Sequence, residues 1–314
     1  MGGNIGKSPL DFLDEVNDDT KPARTLLELS SWQIHDLARQ PFRPCELVVI
    51  TPLYPDHQDR YNSIDEYIKD KLTIFLSTQP PQKAVLPYDD QYIAQYHDAV
   101  CAEEFWYYTL RRTIPPGFSG VQYTSGTLRC IDKEDLITEI SINLPISYLP
   151  AICAAWALSI PIDTILDAVS SYEGLSHRRE IVTVRDGITF INDSAATIPE
   201  AVIFSLNSIN TPIHLIAGGT DKHLDPSVMI HSLEKVSSLH LLAGSFTDKL
   251  LVLLKELAIP YRGPFSSMRD AVSSARAAAA EDSTIILSPG ASSFEYFVNE
   301  FDRGDQFKQI VLTL

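Results

Sequence analysis

The chain is 314 residues long, 45% hydrophobic and 21% charged, which is enough for about two domains with ample core in the ordinary composition of a globular protein. A net charge of −16 argues against nucleic acid or an anionic membrane surface as the main partner, while leaving room for a local basic pocket. Cys45, Cys101, Cys130 and Cys153 lie far apart with no C-x-x-C pair, so no metal or redox framework is expected and the reducing cytoplasm is the expected setting. No apolar run is long enough to span a bilayer, and no signal-peptide pattern is present.

The first residues, MGGNIGKSPLDFL, spell the end of a Walker A loop at Gly6-Lys7-Ser8, but Met1 stands where its first glycine belongs. A phosphate-binding loop also needs a buried strand before it, to hold its backbone N–H groups in place. Those three residues are therefore not read as a phosphate loop. TLLELSS (25–31) and CELVVITP (45–52) read as buried strands, and SIDEYIKDKLTIFLS (63–77) as an amphipathic helix. Residues 78–145 carry aromatics and short β-like runs such as KAVLPY and GVQYTSG. The stretch YLPAICAAWALSIPIDTILDAVSSY (148–172) reads as helical and largely buried, broken at Pro161.

Beyond Ser176 the pattern becomes regular. GITFIND (187–193), IHLIAGG (213–219), SLHLLAGS (238–245) and STIILSPG (283–290) are short apolar runs ending in small or polar residues. Each leads into a helical pattern: IPEAVIFSLNSI, DPSVMIHSLEKV, FTDKLLVLLKELA and SSFEYFVNEFDRGDQFKQIV. Alternating strands and helices imply a parallel sheet covered on both faces. Ligands of such sheets bind at the carboxyl ends of the strands, where Asp193, Ser194, Lys222, Ser292 and Ser293 fall.

Eight stretches together resemble the Mur ligase family, and within it the branch that adds D-glutamate. They are GGNIGKSPL (2–10), ELSSWQ (28–33), DHQDRY (56–61), DKLTIF (70–75), SHRREIV (176–182), INDSAAT (191–197), AGGTDK (217–222) and LSPGASSFEYF (287–297). The resemblance implies an α/β chain: an incomplete Mur-ligase central domain of P-loop NTPase type over residues 1–174, then a Rossmann-like C-terminal domain over 175–314. It implies that the family's own Walker A, G-T-N-G-K-[ST], lies upstream of residue 1, so that the chain corresponds to about the last two-thirds of such a ligase and is expected to be inactive alone. The implied cofactors are ATP and magnesium. The implied substrates are UDP-N-acetylmuramoyl-L-alanine and D-glutamate, handled by a cytoplasmic monomer with no nucleic-acid or membrane partner.

The same resemblance assigns residues. Glu28, His57 and Lys71 fall on the magnesium side, Lys71 as a carbamate that sets a carboxylate beside the metal; hard oxygen ligands suit that ion. Taken alone, Glu28 reads equally as a strand-end or capping carboxylate, His57 as a loop residue and Lys71 as a solvated charge. Asn4 matches a residue near the nucleotide sugar. Arg178 and Asp193 match ATP contacts on phosphate and ribose, in keeping with what a guanidinium and a carboxylate can bind; an ion pair between domains is the other reading. Thr197, Lys222, Ser293 and Phe294 match the pocket for the incoming amino acid's carboxylates, and SPGASSF, running from strand into helix, favours an anion or simple N-capping. Lys222, with His57 and Lys71, is an implied catalytic residue.

Two positions depart from the family pattern. The H-N-x-x-N segment that helps hold adenine reads Ile146-Ser147-Tyr148-Leu149-Pro150, and Ala195 follows INDS where a lysine is usual. Proline has no side-chain donor with which to read adenine. A chain that kept the fold as a binding or regulatory module, or an amide ligase for another amino acid, are the alternatives these departures leave open. If Lys71 works as a carbamate, Lys71→Ala in an active ligase should regain turnover when short carboxylic acids are added; an assay showing no rescue would count against that role.

Overall fold

The computed structural model describes residues 2–3, 8, 11, 24–37, 45–56, 60–75, 80–142 and 144–314. The chain divides into two compact units, Met1–Leu53 with Ser63–Tyr172, and Tyr54–Asn62 with Glu173–Leu314. The short stretch Tyr54–Asn62, which groups with the second unit, carries no compositional signal.

In the first unit β1 (Gly2–Gly3) pairs in parallel with β2 (Leu27–Glu28). The expected buried strand over 25–31 is replaced by this two-residue exposed strand and by α1 (Ser31–Leu37). A reciprocal cap explains the change. The Gln33 N–H donates to Ser30 Oγ at 3.4 Å, and the Ser30 N–H donates to Gln33 Oε1 at 2.9 Å, so the S-x-x-Q box starts a helix where the apolar count suggested a strand.

The main sheet of this unit runs β3 (Leu47–Val49), β4 (Lys83–Pro87), β5 (Glu104–Thr109), β6 (Ser119–Thr124), β7 (Thr127–Asp132), β8 (Asp135–Ser141) in spatial order. The first four strands are parallel, and β7 and β8 continue the sheet as antiparallel hairpins. Helix α2 (Ile64–Leu72), capped by Ser63, buries Tyr67, Ile68 and Leu72, then tightens into a 3-10 turn over Thr73–Phe75. Helix α3 (Gln91–Gln95) is capped by Asp90, whose Oδ1 accepts from the N–H groups of Tyr92 and Ile93.

Pro161 separates α4 (Leu149–Ala157) from α5 (Ile162–Ser171). Leu149, Ile152, Cys153 and Ala157 of α4 pack with Val85, Trp106, Val121 and Leu128 of the sheet. Helix α5 buries only Ile165, less than the sequence suggested. Pro150 occupies the first turn of α4, where no backbone donor is needed.

The second unit holds β9 (Glu180–Arg185), β10 (Ile188–Asn192), α6 (Pro199–Leu206), β11 (Ile213–Ala217), α7 (Ile230–Leu233), β12 (Ser238–Leu242), α8 (Ser245–Glu256), β13 (Arg262–Phe265), α9 (Met268–Ala278), β14 (Thr284–Leu287) and α10 (Glu300–Leu312). Its sheet order is β13-β12-β11-β14-β10-β9, parallel except for β9 on the edge. Successive strand residues feed opposite faces. Leu215, Ala217, Leu239, Leu241 and Ile286 pack with α6 and α8 through Val202, Leu206, Phe246, Leu250 and Leu254. Ile216, Leu242, Ile285 and Leu287 pack with α9 and α10 through Met268, Val272, Phe307 and Val311.

The final helix starts later than the sequence suggested. Phe294, Tyr296 and Val298 are exposed, and α10 begins at Glu300 behind an Asn299 cap that accepts from the Asp302 N–H at 2.8 Å. The order of strands leaves a switch point. β11 leads outward to β12 and β13, whereas β14 returns between β11 and β10. The carboxyl ends of β10, β14 and β11 therefore form the crevice where doubly wound sheets bind ligands.

On the α9 face lies a buried polar chain. His214 Nδ1 meets Ser238 Oγ at 2.7 Å, Ser238 Oγ meets His240 Nε2 at 2.7 Å, and His240 Nδ1 meets Ser274 Oγ at 3.0 Å. Burial, with Arg262 and His214 nearby, pushes the His240 imidazole down from 6.5 to about 4. The folded protein therefore resists a proton that the unfolded chain accepts, and stability is full above about pH 6.5 and declines as pH falls towards 4. Urea denaturation between pH 7.5 and 4.5 should show that decline, with up to about 3 kcal/mol from this residue. His240→Gln should flatten it, and an unchanged pH slope in the variant would refute the assignment.

Candidate active site

Three loops at the crevice are tied to one another by backbone hydrogen bonds. Thr220 and Ser292 exchange both N–H···O bonds, at 2.9 and 3.0 Å, and the Gly290 N–H donates to Ala196 O at 2.8 Å. The approach is close enough to require glycine. A Cβ on Gly219 would sit 2.5 Å from Ser292 O, and one on Gly244 would sit 2.3 Å from Gly219 O; both glycines have positive φ, 140° and 148°. Glu295 ties in the loop after β12, accepting from the Ser245 N–H at 2.9 Å and from Ser245 Oγ at 2.6 Å.

Arg303 of α10 holds these loops from beneath. Its side chain is fully buried. Nε donates to Ser194 Oγ at 2.9 Å, Nη2 to Ser194 O at 2.9 Å, and Nη1 to Ala291 O at 3.1 Å and Ser292 O at 3.0 Å. Burial lowers the guanidinium pKa to about 10, which still leaves it charged at neutral pH. Its planar fork matches carbonyls from two different loops, a task a lysine cannot share. Nothing in the sequence reading singled out Arg303; an arginine on the buried face of an otherwise apolar helix stripe was the available signal.

Asp193 is equally internal, at 5% exposure. Its carboxylate accepts from Ser205 Oγ at 2.6 Å, Ser288 Oγ at 2.8 Å and the Arg179 N–H at 3.1 Å. Burial raises its pKa and these three bonds oppose the rise. Beside it the turn Leu175–Glu180 is sharply bent: His177 and Arg179 both have positive φ, 65° and 51°. Between them Arg178 points to the exposed side. The His177 ring is buried against α10, meeting Asn192 Nδ2 at 3.0 Å, and a Cβ on Gly304 would come within 2.2 Å of His177 Nδ1.

Lys222 lies in the loop after β11, its side chain 17% exposed, and its Nζ donates to Asp56 Oδ1 at 3.0 Å. Thr197 is half-buried. Ser293 is 3% exposed with an Oγ that finds no partner among the described residues, whereas Phe294 is 68% exposed. Glu200, at the start of α6, has a buried Oε2 also without a partner there; burial raises its pKa, and the charges of Asp56 and Asp225 add to the rise.

The chain has clear relatives. Residues 9–144 match the family model described as Mur ligase middle domain. A UDP-N-acetylmuramoylalanine--D-glutamate ligase of Borreliella afzelii is 35% identical over 99% of the chain and 68% of its own length. One from Borreliella burgdorferi is 33% identical over 100% of the chain and 68% of its own length. The chain belongs to the Mur ligase family. By family it is an ATP-dependent amide-bond-forming ligase, and both of these relatives carry the name of the D-glutamate-adding enzyme, MurD. The fold agrees: a MurF ligase from Thermotoga maritima, solved with ADP, superposes with a TM-score of 0.63 over 96% of this chain and 70% of that one, at 12% identity.

In this Mur ligase the residues singled out from the sequence separate into groups. Thr197, Lys222 and Ser293 stand on the hydrogen-bonded loops of one crevice, with Asp193 and Arg178 on its β10 side. Of the metal-side residues, Glu28 and Lys71 are among those described. Glu28 is exposed on β2, and its expected buried strand is absent. Lys71 is half-buried with Nζ 5.1 Å over the Tyr67 ring. His57 and Asn4 lie outside the described residues, as does most of the Gly6-Lys7-Ser8 stretch. Among the described residues no group of three or more His, Cys, Asp or Glu is placed to hold a metal ion. No helix among them is long and apolar enough to cross a membrane.

Removing the buried fork should be costly. Arg303→Met removes the donors to the carbonyls of Ser194 and Ala291 and one of the two donors to Ser292 O, and urea denaturation should show a loss of at least about 3 kcal/mol. Arg303→Lys should recover only part of it. A midpoint unchanged by Arg303→Met would overturn the role given to this side chain.

Proposed function

We propose that this Mur ligase joins D-glutamate to UDP-N-acetylmuramoyl-L-alanine in the making of a peptidoglycan precursor, in the cytoplasm. The observation that carries the reading is the set of relatives named UDP-N-acetylmuramoylalanine--D-glutamate ligase, aligned along the whole chain. The crevice geometry supports it. The Lys222 ammonium and the unpartnered Ser293 Oγ offer one cation and one hydroxyl donor to a carboxylate, at loops that Arg303 and the Thr220–Ser292 bonds hold rigid.

The chemistry is that of an acyl phosphate. ATP transfers its γ-phosphoryl group to the alanine carboxylate; the D-glutamate amine then attacks the activated carbonyl, forming the amide and releasing phosphate. What this chain's residues contribute is positioning. Lys222 Nζ binds and orients an amino-acid carboxylate. Arg178, presented outward between two left-handed residues, offers a guanidinium to phosphate. Asp193 holds the turn that presents it, through the Arg179 N–H. Its burial and three internal bonds leave a ribose hydroxyl to share an already engaged carboxylate. Glu28, His57 and a carbamylated Lys71 would hold magnesium, which would neutralise charge on the phosphates.

The test is a steady-state assay of a full-length ligase that contains this chain, with ATP, UDP-N-acetylmuramoyl-L-alanine and a panel of amino acids, read by mass spectrometry of the product. Formation of the D-glutamyl product, reduced about 30-fold or more in kcat/KM by Lys222→Ala, is expected. A product with a different amino acid would redirect the reading to another amide ligase. Tight UDP-sugar binding without any product would favour a binding protein.

A further inference from the structure

Lys222 is not waiting as an empty cation. Its Nζ already donates to Asp56 Oδ1 at 3.0 Å, with side-chain exposures of only 17% and 22%. Asp56 comes from Tyr54–Asn62, the short stretch that leaves the first unit's strand β3 and groups with the second unit. The pair therefore joins residues 166 positions apart. Shielded from water, such a charge-assisted bond is stronger than a surface pair.

The neighbourhood makes the pairing consequential. The next acidic residue of the loop, Asp221, is bonded to Lys249 and supplies no second anchor for Lys222. Asp56 and Asp225 both lie close enough to Glu200 for their charges to add to the rise in its pKa that burial causes. A carboxylate arriving here therefore meets an ammonium whose charge is already answered, with further acidic side chains close by. Like charges brought into such a site repel by more than they would in water.

We infer that Asp56 is a specificity-determining residue of the amino-acid pocket: its carboxylate occupies Lys222 in the free protein and must be displaced by the carboxylate of the incoming amino acid. The inference rests on the reading above that Lys222 takes that amino acid. Asp56 stands in for the substrate's anion, and the strength of the Asp56–Lys222 bond sets a threshold that weaker or singly contacting anions do not pass. Binding is an exchange of one carboxylate for another on the same ammonium, so no proton or bond changes hands. The threshold lowers affinity for every anion and favours those that also engage the loops carrying Thr197 and Ser293.

Two measurements on the whole chain test this. Reductive methylation with formaldehyde, followed peptide by peptide in a mass spectrometer, reports how available Lys222 is without any ligand. Calorimetric titration with D-glutamate reports the exchange. Asp56→Asn should speed Lys222 methylation several-fold and tighten D-glutamate about tenfold, equivalent to about 1.4 kcal/mol, with succinate and acetate gaining more than D-glutamate. Asp56→Glu should stay near the parent protein in both. Unchanged methylation in Asp56→Asn would show that the pair does not occupy Lys222 in solution and would overturn the inference whatever D-glutamate does. Faster methylation with equal or weaker D-glutamate binding would overturn it as well, leaving Asp56 a structural tie. Lys222→Ala separates the two readings: if it binds D-glutamate as tightly as the parent, the pocket assignment itself has failed, and the inference falls with it.

Discussion

A buried positive charge organises the second unit. The Arg303 guanidinium reaches the backbones of loops that follow two different parallel strands, satisfies the buried carbonyls of Ser194 and Ala291, and adds a second donor to that of Ser292. Burying a cation is unfavourable unless its hydrogen bonds are met in full. Here five polar groups converge to meet them: two on Ser194, one each on Ala291 and Ser292, and the charge of Glu300 nearby. The loops that carry Ser293 and Ala195–Thr197 are held by this interaction, and the Thr220–Ser292 exchange passes its rigidity on to the loop of Lys222. A pocket for a small charged molecule needs this kind of support, because a carboxylate is recognised by geometry as much as by charge.

The parallel sheet was the most legible part of the sequence. Runs such as IHLIA and TIIL are buried at every position and mostly apolar because helices cover both faces of the sheet. The glycines that end the runs mark close backbone approaches at the crevice. The less regular parts were hidden for physical reasons. β9 and β13 are edge strands whose residues are largely exposed, so they lack an apolar run. Beyond Met268 at its first turn, the α9 stripe is built from Ala271, Val272 and Ala275, too small to stand out by hydropathy. The apolar residues Phe294, Tyr296 and Val298 suggested an early helix start, although the Asn299 cap with acidic residues behind it was the better signal.

The site was legible in parts, by two kinds of evidence. Lys222 and Ser293 fall at strand ends, where the fold itself places ligands, so periodicity pointed to them before any resemblance did. Arg178 came from resemblance alone and Asp193 from resemblance and its strand-end position, and the structure gives them different characters: one exposed, the other an internal tie with a partner as far as 95 positions away in sequence. No local pattern marks Asp193 as buried, since its partners are two serines and a backbone N–H. Asp56 was read only as one letter of a motif. Its meeting with Lys222 is a long-range fact that no spacing rule contains.

The stretch Tyr54–Asn62 gives the chain an unusual connectivity. The polypeptide passes from one unit to the other at three points, after Leu53, after Asn62 and after Tyr172. Neither unit is thus a continuous length of chain. Closing the Asp56–Lys222 contact joins distant positions, and the entropy of that loop must be met before the contact returns anything. During synthesis Asp56 emerges long before its lysine, and it remains without that counter-ion until the third strand of the second sheet has been made. A fragment cut at Glu173 would carry Lys222 with its charge unanswered, so the natural seam of this protein does not coincide with any single peptide bond.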